Sequence, residues 1–156
     1  MESVYIETTI VSYLVARPSR DLLVAAHQQI TQDWWIERSR EFECYISQIV
    51  IEEASVGDQE QAKKRIDTMK ALSVLEVTKA AENLTRAILA NGVIPTRAVR
   101  DAAHIAVAAV NNMDYLLTWN CRHLANAQIM RRVAKVCIEN GFNMPLICTP
   151  EELMGG

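Results

Sequence analysis

Short apolar runs alternate with longer stretches of helical periodicity along the whole chain. The first, Val4-Tyr5-Ile6, is bounded by Glu7-Thr8-Thr9 and predicts a buried strand that ends there. Thr8 or Thr9 then caps a short helix to about Leu14. The segment Pro18-Ser19-Arg20-Asp21 starts a long helix, with Leu22, Leu23, Ala26, Ile30 and Trp34 on one expected apolar stripe. Phe42 to Ile46 predicts a second strand. Ser47 caps a helix carrying Glu52 and Glu53, and Gly57-Asp58 separates it from a helix running from Gln59 to about Lys70. Val74 to Val77 is a third strand, after which Thr78 caps a helix through Leu89 that Asn91-Gly92 stops. Pro95-Thr96 opens a helix to about Val110. Tyr115 to Thr118 is a fourth strand, a helix follows from about Asn126 to Glu139, and Leu146-Ile147-Cys148 is a fifth. Thr149-Pro150-Glu151-Glu152 resembles a capping box on a terminal turn.

Strands that alternate with helices imply parallel pairing through crossover helices. The expected fold is therefore α/β, a three-layer α/β/α sandwich around a parallel sheet of about four to five strands. No linker, repeat or low-complexity segment interrupts it, so residues 1–156 are expected to form one domain. In such sheets ligands sit beyond the carboxyl ends of the strands, which directs attention to polar groups at those ends.

Composition narrows the setting. No apolar run approaches the ~18 residues of a membrane helix, and Met1-Glu2-Ser3 lacks a basic n-region. Cys44, Cys121, Cys137 and Cys148 form no CxxC pair and read as reduced thiols of a cytoplasmic protein. The net charge of −3 would weakly repel a phosphate backbone, so contact with nucleic acid calls for local basic residues or bound cations. Motifs for a dinucleotide, a P-loop, a nucleophile elbow or zinc are absent.

Four positions can carry chemistry. Glu7 directly follows the first strand and is either a site carboxylate or one favoured by the helix N-terminus behind it. Asn120 holds the matching place after the fourth strand, as site residue or turn cap. Asp101 precedes the apolar run Ala102-Ala103-His104-Ile105-Ala106-Val107-Ala108-Ala109-Val110, where a carboxylate is costly to bury unless it is paired with Arg97 or Arg100 or bound to metal. His104, one turn on, reads as a core or supporting group rather than a ligand. Glu52 and Glu53 point about 100° apart on their helix, and Glu53 lies beside the buried stripe, facing the crevice or a surface salt bridge. Hydrolysis of a phosphodiester needs an activated water and charge stabilisation, which hard oxygen ligands around Mg²⁺ or Mn²⁺ can supply.

These segments resemble the PIN-domain family, specifically VapC-like toxins of toxin–antitoxin pairs. Val4 to Leu14 is similar to the family's opening strand and acidic residue, and Ile46 to Glu53 with Gly57 to its second motif. Asp101-Ala102-Ala103-His104-Ile105-Ala106 resembles the central helix motif, and Leu116 to Leu124 the last one. The resemblance implies a metal-dependent endoribonuclease with Glu7, Glu53, Asp101 and Asn120 around Mg²⁺ or Mn²⁺. Thr8, Thr118 and Arg122 would contact RNA, with Arg17, Arg20, Arg97 and Arg100 guiding its backbone. An antitoxin partner and a homodimer are also implied, and the stripe of the second helix with Trp34-Trp35 is the expected contributor to that interface. Two departures stand out: glutamate at Glu7 and asparagine at Asn120, where the family commonly has aspartate. Asn120 keeps a carbonyl oxygen but not the charge, which leaves open a binding module with little nuclease activity. Asn126 is either another neutral ligand or a helix cap.

Overall fold

Val4, Tyr5 and Ile6 have no exposed surface, because the strand that carries them lies in the middle of the sheet. The computed structural model describes residues 1–155. Strand β1 (Glu2–Ile6) pairs in parallel with β2 (Phe42–Ser47) and β4 (Tyr115–Leu117). Beyond them lie β3 (Ser73–Leu75) and β5 (Leu146–Cys148), which gives the order β3-β2-β1-β4-β5. The chain moves outward from β1 to β3, then returns to the other side of β1 for β4 and β5. That reversal separates β1 from β4 in connectivity, and a crevice opens at their carboxyl ends.

The helices divide between two layers. Helices α1 (Thr8–Val15), α2 (Leu22–Glu37), α3 (Gln48–Ala54) and α4 (Gln59–Met69) serve the first half of the sheet, with α1 touching the other three. Helices α5 (Lys79–Asn91), α6 (Val99–Val110) and α7 (Ala127–Glu139) serve the second half, with α5 against both α6 and α7. The expected α/β/α sandwich with a parallel sheet is what forms, and it has five strands.

Local chemistry sets the element ends. Asp21, Asp58, Thr78 and Asn126 cap α2, α4, α5 and α7 with side-chain oxygens on backbone N–H groups. Gly92 ends α5 in the left-handed region at φ 83°, where a Cβ would be strained. At the amino edge of the sheet Asp114 Oδ2 accepts from Ser3 N and Ser3 Oγ, at 2.8 and 3.1 Å. This clamp fixes the starts of β1 and β4, so their far ends meet in register with Ile6 beside Leu117.

Four expectations are corrected. Leu22 and Leu23 are 88% and 66% exposed, whereas Gln28, Thr31 and Trp34 are buried. The first turn of α2 overhangs the core, and its packed face is set by Trp34, whose indole donates to Leu153 O at 3.2 Å. Trp34 is wholly buried and so is not available to a dimer surface. Strand β3 begins at Ser73 and stops at Leu75, and Pro95 leads into a 3₁₀ turn, Thr96–Ala98, before α6 starts. Helix α6 then buries Ala102, His104, Ile105, Ala106, Val107, Ala108 and Ala109, its small side chains allowing close approach.

These placements predict a sharp contrast between two leucines. Leu117→Ala, at a wholly buried site in β4, should lower stability by about 2–5 kcal/mol through lost transfer energy and a cavity. Leu22→Ala should stay within about 0.5 kcal/mol of the parent. Urea denaturation with unchanged m-value reads both, and equal losses would contradict the assigned face of α2.

Candidate functional site

Glu7 is the first residue beyond β1, and its backbone N–H donates to Leu117 O at 3.1 Å, extending the sheet ladder by one rung. Its side chain turns into the crevice and is 4% exposed. There Oε1 accepts from Thr9 Oγ1 at 2.5 Å and from Thr118 Oγ1 at 2.6 Å. Both hydroxyls are fixed in turn, since Trp119 N donates to Thr9 Oγ1 and Asn120 N donates to Thr118 Oγ1, each at 2.9 Å. The loop after β4 is thereby stitched to the start of α1, and the Glu7 carboxylate is oriented before any ligand arrives.

Glu53 reaches the same place from the last turn of α3, while Glu52 beside it is exposed. Its Oε1 accepts from Thr8 Oγ1 at 2.7 Å and meets His104 Nε2 at 2.6 Å. Burial works to raise the Glu53 carboxyl, but its hydrogen bonds with His104 and the Thr8 hydroxyl and the charge of Arg100 together hold it below the ordinary carboxylate value. His104 has no exposed surface, and its Nδ1 lies 2.7 Å from Tyr5 Oη, which lies 2.7 Å from Ser47 Oγ. Burial pushes the Tyr5 phenol far above its usual range, so it stays a neutral hydroxyl. These contacts link Ser47, Tyr5, His104 and Glu53 in one buried hydrogen-bonded chain.

Glu7, Glu53 and His104 each place a ligand atom within 4.8 Å of the other two. Among the described residues no lysine or arginine lies within ion-pair distance of either glutamate. Glu7 has no basic partner, and Glu53 has His104 but no ion-paired lysine or arginine, so the two inward carboxylates leave local negative charge that hydroxyls alone do not neutralise. Carboxylate oxygens with one imidazole fit a divalent cation.

The remaining sequence candidates take other places. Asp101 Oδ2 bonds His123 Nδ1 at 2.8 Å, so Asp101 is held by a histidine rather than by Arg97 or Arg100 and is not a member of the close group. Asn120 Oδ1 accepts from Arg122 N at 3.2 Å and His123 N at 3.1 Å, which uses its carbonyl to close the turn. Asn126 Oδ1 accepts from Gln128 N and Ile129 N as the cap of α7. The Thr8 and Thr118 hydroxyls point at glutamate oxygens, and the Arg122 side chain is exposed. Tyr5, Ser47, Thr9 and His123 were not picked out as site residues by sequence reasoning. A tyrosine inside a three-residue apolar run carries a signal, because its buried hydroxyl must find a partner.

An open cavity of about 610 Å³ is lined by Tyr13, Arg17, Gln28, Asp58, Gln61 and Arg65 rather than by the glutamates. Ser12, also on its wall, stands one helical turn beyond Thr8 on α1. Arg65 is fixed there by bonds to Ala54 O and Val56 O, at 2.9 and 2.6 Å. No helix of the described residues is long and apolar enough to cross a membrane.

No family model and no curated protein matches the chain. Solved structures do. One is a chain from the VapBC2 complex of Rickettsia felis bound to a DNA fragment from its promoter. It is 15% identical over 94% of this chain and 97% of that one, with a TM-score of 0.60. Another is VapC20 of Mycobacterium tuberculosis, described as a toxin that cleaves the sarcin–ricin loop. It is 15% identical over 77% of this chain and 92% of that one, with a TM-score of 0.56. The chain thus has the VapC-like PIN fold, an α/β/α sandwich that carries Glu7 at the carboxyl end of its central strand.

Proposed function

We propose that the protein is a metal-dependent endoribonuclease, the toxin of a toxin–antitoxin pair. The observation that carries this reading is the meeting of Glu7 and Glu53 at the switch point of the sheet with no lysine or arginine in an ion pair with either, among the described residues. Glu7 and Glu53 anchor Mg²⁺ or Mn²⁺, while Thr8, Thr9 and Thr118 hold the carboxylate oxygens in place. A divalent cation so bound supplies a water of lowered pKa and stabilises charge on the phosphodiester. We assign Asp101, whose Oδ2 is held by His123, and Asn120 to the edge of this site, where Asp101 would accept a proton of the attacking water. Arg100 lies near enough to depress Glu53 and, with Arg122, contacts the RNA backbone. Arg17 and Arg65 extend that path along the neighbouring cavity.

The Rickettsia felis neighbour is part of a VapBC complex, which supports an antitoxin partner for this chain. A homodimer working in the cytoplasm agrees with the same reading. The engagement of Asn120 Oδ1 by two backbone N–H groups favours a second reading, a weakly catalytic RNA- or protein-binding module with too few ligands.

RNA cleavage with added Mn²⁺ separates them. Glu7→Gln and Glu53→Gln should each lower the rate at least about a hundredfold, and EDTA should abolish it in the parent. Parental activity in both variants would sink the nuclease proposal. An inactive parent that gains activity as Asn120→Asp would establish the second reading.

A further inference from the structure

We infer that His104, through Nε2, is the third protein ligand of the centre, and that its nitrogen makes the site select a first-row transition ion over Mg²⁺. This rests on the carboxylate site proposed above and names the class of metal it takes. Three observations carry it. Nε2 belongs to the one close group of possible ligand atoms among the described residues, within 4.8 Å of oxygens of both Glu7 and Glu53. Asp101, the other group able to complete such a set, is turned to His123. The far nitrogen of His104 is already held, because Nδ1 lies 2.7 Å from Tyr5 Oη, backed at 2.7 Å by Ser47 Oγ.

Ligating imidazoles commonly give their other N–H to a fixed acceptor that sets tautomer and ring orientation. Tyr5 can serve either tautomer, since its hydroxyl both donates and accepts. Without metal, Ser47 donates to Tyr5, Tyr5 to Nδ1, and Nε2–H to Glu53. With metal, the ring proton resides on Nδ1 and is donated to Tyr5 Oη, Tyr5 donates to Ser47 Oγ, and the bare Nε2 faces the ion. Between the two arrangements the ring proton changes nitrogen, by exchange with water. The ring is wholly buried and stands edge-on to Tyr5 at 5.7 Å between centroids, so its orientation is fixed in advance. Imidazole nitrogen suits manganese, iron or zinc better than magnesium, which prefers an all-oxygen shell with retained waters.

Pulsed EPR of the full chain loaded with Mn²⁺ tests this directly. The parent should show a nitrogen coupling of directly bound imidazole, which changes when the protein carries ¹⁵N-histidine. The coupling should vanish in His104→Gln and persist in His123→Gln. Calorimetric titration should show Mn²⁺ affinity falling about 10–100-fold in His104→Gln, and by about tenfold in Tyr5→Phe, with Mg²⁺ affinity moved less. Bound Mn²⁺ without nitrogen coupling in the parent, or coupling that survives in His104→Gln, would overturn the inference and leave the carboxylate centre standing. Failure of the parent to bind Mn²⁺ at all would overturn both. Should His104→Gln not fold, the ¹⁵N-labelled parent, with His123→Gln beside it, decides the matter.

Discussion

Two carboxylates, one almost wholly withdrawn from water, meet beyond the central strand with no arginine or lysine of the described residues in an ion pair with either. At a separation of at most 4.8 Å their mutual repulsion is on the order of 3 kcal/mol for an effective dielectric near 20. Hydroxyl groups of Thr8, Thr9 and Thr118 and the imidazole of His104 offset part of this by charge-assisted hydrogen bonds. None of them removes the charge. The rest of the architecture can be understood as the rigid frame that holds this arrangement: the Ser3–Asp114 clamp at one edge, the apolar β1 between β2 and β4, and the closely packed α6 that delivers His104.

Much of this frame is legible in the primary chain. An apolar triplet followed by an acid places Glu7 at a strand's carboxyl end whichever way the helices pack. Helical geometry separates Glu53 from Glu52, and the structure has Glu53 turned inward and Glu52 exposed. The caps at Asp58, Thr78 and Asn126 are read from local chemistry alone. Features that depend on long-range contact are not. Asp101 meets His123 through a loop whose shape is set by Asn120 closing on two N–H groups, and no periodicity reports that. Which side of α2 is inside depends on where its first turn projects beyond the sheet, so a helical wheel names Leu22 and Leu23 wrongly. His104 is visible as a histidine on an apolar helix, but its link to Glu53 spans α6 and α3.

Departures from the family pattern acquire a physical meaning in this setting. The extra methylene of Glu7 is taken up by Thr9 and Thr118, whose hydroxyls converge on one oxygen of the carboxylate. The amide of Asn120 trades a negative charge for a carbonyl that organises the loop holding His123. The site thereby carries less charge than an all-aspartate version and leans on an imidazole. Burial pushes the thiols of Cys44 and Cys137 up to about 11, and that of Cys148 up to about 12, so they stay protonated near neutral pH.

Thermal unfolding of the parent and of Glu7→Gln, each in EDTA and across a Mn²⁺ series, tests the central claim most directly. If the glutamates repel one another until a cation joins them, Glu7→Gln unfolds at a higher temperature than the parent in EDTA. The parent then gains stability with rising Mn²⁺ as a binding equilibrium requires, while Glu7→Gln does not. A parent that is the more stable in EDTA, and whose unfolding temperature ignores Mn²⁺, would show that the carboxylates are satisfied by their hydroxyl partners and await no ion.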